Sequence, residues 1–193
     1  MTIRFATEAD AGALLEIYAQ YIDTAVTFEY DKPTLEDFTA RVREISRHWP
    51  HLVCEENGRI LGYAYAHHAR ERAAYNWFVE LSVYLDRSAT RHGLGKKLYS
   101  LLLDILRLQG VKTAMGCVTM PNPASEALHT ALGFRLAGRS PNAGYKNGAW
   151  HDVAWYELPL AGYDVPPVPV KPIGALDQEK LSALMEEYSH AGN

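Results

Sequence analysis

Gly93 and Gly95, in the run Thr90-Arg91-His92-Gly93-Leu94-Gly95, stand between a β-favouring stretch and a long run with apolar residues at helical spacing. Glycine lets a backbone approach a ligand closely and adopt conformations that a Cβ forbids. At a helix start, the free N–H groups and the positive end of the helix dipole gather on one point, so a strand, a glycine loop and a helix together form a cradle for phosphate or pyrophosphate. Just upstream, Glu80 is the acidic residue of the otherwise apolar run Trp77-Phe78-Val79-Glu80-Leu81-Ser82-Val83. Burial in such a strand raises a carboxyl pKa toward the range useful to a general base. The structural alternative is a carboxylate paired with an arginine. Arg70 and Arg72, in Arg70-Glu71-Arg72-Ala73-Ala74-Tyr75, offer guanidinium forks that match a carboxylate with two parallel hydrogen bonds, although arginines in a surface loop are ordinarily solvated. His67, His68, His151 and Asp152 follow no helical or hairpin ligand spacing, so no metal is expected.

Positioning these groups requires a mixed succession of elements. A first strand is expected over residues 2–6, then a helix opened by the hydroxyl cap and following acid of Thr7-Glu8-Ala9-Asp10 and continued by Leu14, Leu15 and Tyr18. A second helix opens at Pro33-Thr34-Leu35-Glu36-Asp37 and carries Phe38, Val42 and Ile45. Residues 51–56 and 59–67 read as strands joined by Asn57-Gly58, a strong hairpin signal. A strand over 77–85 feeds the glycine loop, and Leu94, Leu98, Leu101, Leu102, Ile105 and Leu106 mark one face of a helix reaching Gln109. A strand over 113–118 and a short helix over 124–132, ended by Gly133, come next. The last two strands are expected at 134–137 and 150–158, antiparallel across a long loop. Beyond them Pro159, Pro166, Pro167, Pro169 and Pro172 impose an extended, non-sheet segment before a short amphipathic helix over 176–188. One domain over 1–160 and a proline-rich extension over 161–193 result, with the extension packing on the domain or on a partner subunit.

Composition narrows the class. At 48% hydrophobic and 22% charged residues, the chain suits a globular domain, and its net charge of −4 argues against a nucleic-acid binder. It lacks an apolar run of membrane-spanning length, and its first residues pass straight into a strand rather than a charged and then apolar leader. The expectation is a cytoplasmic protein that binds neither membrane nor nucleic acid. Cys54 and Cys117 show no metal or disulfide spacing and are expected as buried free thiols.

The glycine pair, Asn122-Pro123-Ala124-Ser125 and Leu132-Gly133-Phe134 resemble motifs of the GNAT superfamily of acetyl-CoA-dependent N-acetyltransferases, with Thr90 standing where that family usually has Gln or Arg. A closer resemblance is to its phosphinothricin and methionine sulfoximine N-acetyltransferases. It rests on Arg4-Phe5-Ala6-Thr7-Glu8-Ala9-Asp10, Ala74-Tyr75-Asn76-Trp77, His129-Thr130-Ala131-Leu132-Gly133-Phe134, Asn147-Gly148-Ala149-Trp150-His151-Asp152-Val153 and the proline-rich segment. The glycine loop also follows an antiparallel run, whereas a dinucleotide fold places it after the first parallel strand with an acid ~20 residues on.

The resemblance implies an α/β (α+β) GNAT fold: a mostly antiparallel mixed sheet, splayed near the glycine loop and flanked by helices. It implies acetyl-CoA as co-substrate, with the backbone of Thr90, Arg91, His92, Gly93, Leu94, Gly95 and Lys96 on the pyrophosphate. Val83, Tyr84 and Leu85 would pair with the pantetheine arm, and Asn122 and Ser125 would line it. Glu80 falls at the family's proposed base. His129, seven residues after Asn122, falls where the subgroup has a histidine at the coenzyme A sulfur, to donate a proton or a hydrogen bond; a packing histidine is the alternative. Arg70, Arg72 and Tyr75 match the positions that recognise the acceptor's anionic groups, and Phe28 and Glu29 match the segment covering it. The expected reaction is direct transfer through a ternary complex to the amine of phosphinothricin, methionine sulfoximine or methionine sulfone, because the glycine loop brings with it no cysteine suited to carry the acyl group. Two other readings stay open: acetylation of a protein or peptide N-terminus, and a non-catalytic acyl-CoA-binding regulatory module. The family commonly forms homodimers, which would set residues 138–148 and the proline-rich tail at the interface.

Overall fold

A computed structural model describes residues 1–90 and 93–190. Strands β1 (Thr2–Phe5), β2 (His51–Glu56), β3 (Arg59–His68), β4 (Phe78–Leu85), β5 (Thr113–Met120), β6 (Arg135–Lys146) and β7 (Ala149–Pro159) form one sheet in the order β1-β2-β3-β4-β5-β7-β6. Every pairing is antiparallel except β4 with β5. That parallel pair needs a crossover, supplied by the helix the glycine loop opens.

Helices α1 (Ala11–Ala19) and α2 (Leu35–His48) cover one face, packing Leu14, Tyr18, Phe38 and Val42 against Val53 and Tyr63. Helices α3 (Leu94–Gln109) and α4 (Pro123–Ala131) cover the other, where Leu98, Leu101, Leu102 and Ile105 meet Ala64, Val79, Leu81 and Ala114. Strand side chains alternate between the faces, so each strand delivers neighbouring residues to opposite sides. The start of α1 is fixed from the sequence: Thr7 N–H donates to Asp10 Oδ2 at 2.7 Å, and Arg4 clasps the same carboxylate through two nitrogens at 2.7 and 2.8 Å.

Two expectations are corrected. Residues 138–148 are no loop: β6 extends to Lys146 and turns into β7 through Asn147 (φ 51°) and Gly148 (φ 78°), the same hairpin chemistry as Asn57-Gly58. β6 is an edge strand, so no strand among the described residues pairs with its outer side, and its register breaks between Leu136 and Gly138 and between Ser140 and Gly144. Edge position and bulges admit Pro141 and glycines that would disqualify a central strand. Cys117 is exposed rather than buried, whereas Cys54 is buried.

Beyond β7 the chain returns across the domain. Trp77 Nε1 donates to Val168 O at 2.7 Å, and the buried Gln109 donates through Nε2 to His48 O and Lys171 O at 2.9 and 2.8 Å. Helix α5 (Gln178–His190) then lays Leu181 into the α3 side of the core.

Candidate active site

Pairing between β4 and β5 runs from Phe78–Thr113 to Leu81–Gly116 and stops there, although β4 continues to Leu85 and β5 to Met120. The two strands part into a cleft of about 70 Å³ lined by Leu81–Tyr84, Tyr99, Cys117, Val118, Asn122, Ser125 and His129. Unpaired strand edges offer backbone donors and acceptors to an extended ligand carrying amides. Of the expected cofactor-binding residues, Val83, Tyr84, Asn122 and Ser125 line this cleft. Leu85 extends the same edge, and an added Cβ on Gly95 would come within 3.6 Å of its side chain. Gly93, in the left-handed conformation at φ 75°, directly precedes Leu94 and turns the chain into α3. Thr90 donates from its hydroxyl to Arg87 O at 3.1 Å, closing the preceding turn, and Lys96 is exposed on the first turn of α3. Arg91 and His92 lie outside the described residues. Arg87 is engaged elsewhere, donating to Gln20 O and packing over the Tyr21 ring.

Register places the expected acid–base groups on opposite faces. Glu80 pairs with His67 on one side and Met115 on the other, so Glu80, Ser82, Met115 and Cys117 share the α1/α2 face. Burial pushes the Glu80 carboxyl above its ordinary range, with His67 and Arg70 pulling weakly the other way. Glu80 takes part in none of the ion pairs formed by the described residues. It is a half-buried carboxyl that His67 and Arg70 influence without forming a salt bridge to it.

His129, only 3% exposed, stands behind the sheet on the α3/α4 side. Tyr99, Phe134 and Tyr156 surround its ring at centroid distances of 5.6, 5.0 and 5.4 Å. Its Nδ1 lies 2.8 Å from Ser125 O, an atom that only accepts, so Nδ1 carries the hydrogen and Nε2 of the neutral ring is bare. Nε2 is buried and has no hydrogen-bond partner among the described residues. Burial lowers the ring's pKa, against the pull of the Ser125 carbonyl.

Arg70 leans over the Trp155 ring at 5.9 Å. Trp155 is the register partner of Cys117, which brings the guanidinium beside Glu80 and Cys117. Arg72 and Tyr75 are exposed in the same β3–β4 connection. Phe28 packs on Gly144, where an added Cβ would stand 2.6 Å from Cζ and 2.8 Å from Cδ2. Glu29 accepts from Arg41 at 2.6 Å at the rim of a second cavity of about 140 Å³, lined also by Tyr18, His51, Tyr63 and Tyr65.

One residue escaped the sequence reading and a second was read as buried away from the site. Lys146, only 2% exposed, reaches from the end of β6 to donate to Thr27 O at 2.6 Å and Glu29 O at 2.7 Å. Together with the Tyr30 hydroxyl on Tyr145 O and Asn147 Nδ2 on Asp23 O, it ties the Phe28–Glu29 segment to the β6–β7 hairpin. Read as part of a loop, Lys146 gave no sign of burial; recognition of the Asn147-Gly148 turn could have placed it at a strand end. The second is Cys117, which the register brings into the cleft. Although the residue is exposed, desolvation of its sulfur and the nearby Glu80 carboxyl push the thiol up to about 12, leaving little thiolate at neutral pH. His151 and Asp152 are engaged within the β6–β7 hairpin: Asp152 pairs with Arg139 at 2.6 Å, and His151 Nε2 lies 3.0 Å from Lys146 O.

Known proteins resemble this chain in sequence and fold. The family profile described as acetyltransferase (GNAT) domain matches residues 3–155. A phosphinothricin N-acetyltransferase of Streptomyces viridochromogenes is 39% identical over 176 residues, covering 89% of this chain and 93% of that protein. An L-methionine sulfoximine/L-methionine sulfone acetyltransferase of Salmonella typhimurium is 34% identical over 168 residues, covering 86% and 98%. The crystal structure of a GNAT superfamily phosphinothricin acetyltransferase from Sinorhizobium meliloti, in complex with AcCoA, superimposes with a TM-score of 0.82 at 34% identity, covering 88% of this chain and 92% of that one. The splayed seven-stranded sheet, the glycine-led α3 and these matches together show that the chain belongs to the GNAT family of acetyltransferases.

Proposed function

We propose that the protein transfers acetyl from acetyl-CoA directly to the amine of a small anionic amino-acid analogue, with phosphinothricin, methionine sulfoximine and methionine sulfone as the leading acceptors. The observation carrying this reading is the placement of Glu80 and His129 on opposite faces of the sheet where β4 and β5 part.

When bound, acetyl-CoA supplies the thioester carbonyl that the amine attacks. The open β4 edge over 82–85 and the N–H groups at the start of α3 fit its extended amide arm and its pyrophosphate. Glu80 takes a proton from the acceptor ammonium, directly or through water, and its raised pKa makes it a stronger base for that exchange. His129 faces the departing sulfur. As Nε2 of the neutral ring bears no hydrogen, the ring must gain a proton before it can donate one there. Arg70, Arg72 and Tyr75 hold the acceptor's anionic groups while Phe28 and Glu29 cover it. The net reaction of ammonium and thioester gives amide and thiol and releases one proton.

Cys117 does not convert this into a two-step acyl-enzyme reaction, because a thiol pushed up to about 12 is a poor nucleophile at neutral pH. Initial-rate lines that intersect when both substrates are varied are expected; parallel lines would refute direct transfer. A screen of the three analogues against peptide N-termini by kcat/KM tests the acceptor class, and a peptide preference would replace it. We further infer a homodimer joined through the β6–β7 hairpin, on which Tyr145 and Trp150 are exposed. Sedimentation at micromolar concentration should show a species of twice the chain mass.

A further inference from the structure

Gly116 is the last residue of β5 to pair with β4, and its partner is Leu81. Register turns Gly116 toward the α3/α4 face, where it is buried beneath His129. A Cβ built on Gly116 would stand 2.6 Å from Cδ2 and 3.0 Å from Cε1 of the imidazole, and closer still to Nε2. The ring edge thus occupies the volume that any other residue at this position would fill. It cannot readily retreat. Its far nitrogen is tethered to Ser125 O, and Tyr99, Phe134 and Tyr156 close in around it. The groups facing the ring from the elements packed on it are Tyr99 of α3, Tyr156 of β7, Phe134 and, on α4 itself, Ser125. None carries a charge at neutral pH, so position rather than an ion pair determines what the bare nitrogen can reach.

We propose that Gly116 is a positioning residue for catalysis: its missing side chain seats His129 with Nε2 at the final rung of the β4–β5 ladder, where the cleft opens and a bound thioester sulfur must pass. This deepens the functional reading above and rests on it for the role of His129. It adds that β5 selects glycine here for the imidazole's placement, not for the strand, since glycine weakens a strand interior.

The test is a double-mutant cycle. Gly116→Ala should lower kcat at least tenfold while leaving KM for acetyl-CoA within about twofold. In a His129→Ala background the space is vacated, so the same substitution should change kcat by less than twofold. An equal loss in both backgrounds, or no loss in the wild type, would overturn the proposal. Should Gly116→Ala alone fail to fold, the double variant remains decisive: it must fold and match His129→Ala, and its failure to do so would also refute the idea. A readout independent of turnover separates this proposal from the catalytic reading. ¹⁵N spectra should show Nδ1 of His129 protonated in the wild type and the imidazole signals displaced in Gly116→Ala. Unchanged signals defeat the seating proposal whatever the activity. Displaced signals with full activity in His129→Ala support the seating and defeat only the catalytic role of His129.

Discussion

The two faces of the sheet at the β4–β5 opening are built from unlike materials. On the α1/α2 side, Glu80 lies among His67, Arg70 and Cys117, with exposed arginines at the rim. On the α3/α4 side, a single neutral imidazole is closed in by three aromatic rings. One physical cause, burial, acts on both and moves them in opposite directions: the Glu80 carboxyl goes up and the His129 ring goes down. Burial disfavours both charged forms, but with different consequences. A carboxyl raised above its ordinary range is a stronger base toward the acceptor ammonium proposed above. An imidazole depressed below its ordinary range holds no proton to give at Nε2 until one reaches it. In the function proposed above, the α1/α2 face serves proton removal and electrostatic recognition, and the far face a single fixed contact.

Substitutions separate the two faces, and their effects should fall in order. Glu80→Gln keeps the shape and removes the base, so kcat should drop by about 10²–10⁴ with both KM values nearly unchanged; a loss under twofold in steady-state assays would take Glu80 out of the mechanism. His129→Ala, on the far face, should cost about 10–100-fold in kcat with little change in acceptor KM, and a rise confined to acceptor KM would place the residue on the wrong side of the sheet. Arg70→Ala and Arg72→Ala should each raise acceptor KM by about tenfold, as expected for loss of a charge-assisted contact of about 1.5 kcal/mol. Acetyl-CoA KM should stay constant, and an equal rise in both would mean the arginines serve the fold.

Lys146→Met should raise acceptor KM several-fold by releasing Thr27 and Glu29 from their clamp, with the glycine-loop side unaffected; isothermal titration of each substrate separates the two. Farthest from the cleft, Asp10→Asn should cost about 1–2 kcal/mol of stability and leave kcat alone. Arg4 holds the Asp10 carboxyl down to about 2. A depressed carboxylate contributes stability above its unfolded pKa, about 3.9, and loses it as pH falls toward the folded value. Denaturant melts of the wild type between pH 5 and 2 should show that loss, and Asp10→Asn should show less of it.

How much was legible follows the same division. The α3/α4 side was written plainly, because α3 repeats leucines at helical spacing and glycines bound it, so 94–109 was read to its ends. Asn57-Gly58 betrayed the β2–β3 hairpin. The identical Asn147-Gly148 signal was passed over because β6 exposes both its faces for most of its length and contains Pro141, leaving no alternation to read. Losing that strand hid Lys146, whose burial is a tertiary fact: its partners are backbone carbonyls more than a hundred residues away. Glu80 was found by residue type and surroundings and His129 only through the family resemblance, and their separation across the sheet depends on where the β4–β5 ladder ends. Cys117 was placed in a strand and assumed buried. Its exposure follows from the same parting of strands, which no local pattern announces.

The pH dependence of kcat at saturating acetyl-CoA and acceptor, measured on the wild type and on Glu80→Gln, tests the central claim most directly. The wild type should lose activity as pH falls through an apparent pKa above the ordinary 4.5 of a glutamate, and Glu80→Gln should lack that limb while retaining the fold. A wild-type limb at or below 4.5, or one that persists in Glu80→Gln, would contradict the assignment of the buried carboxyl as the group that takes the acceptor's proton.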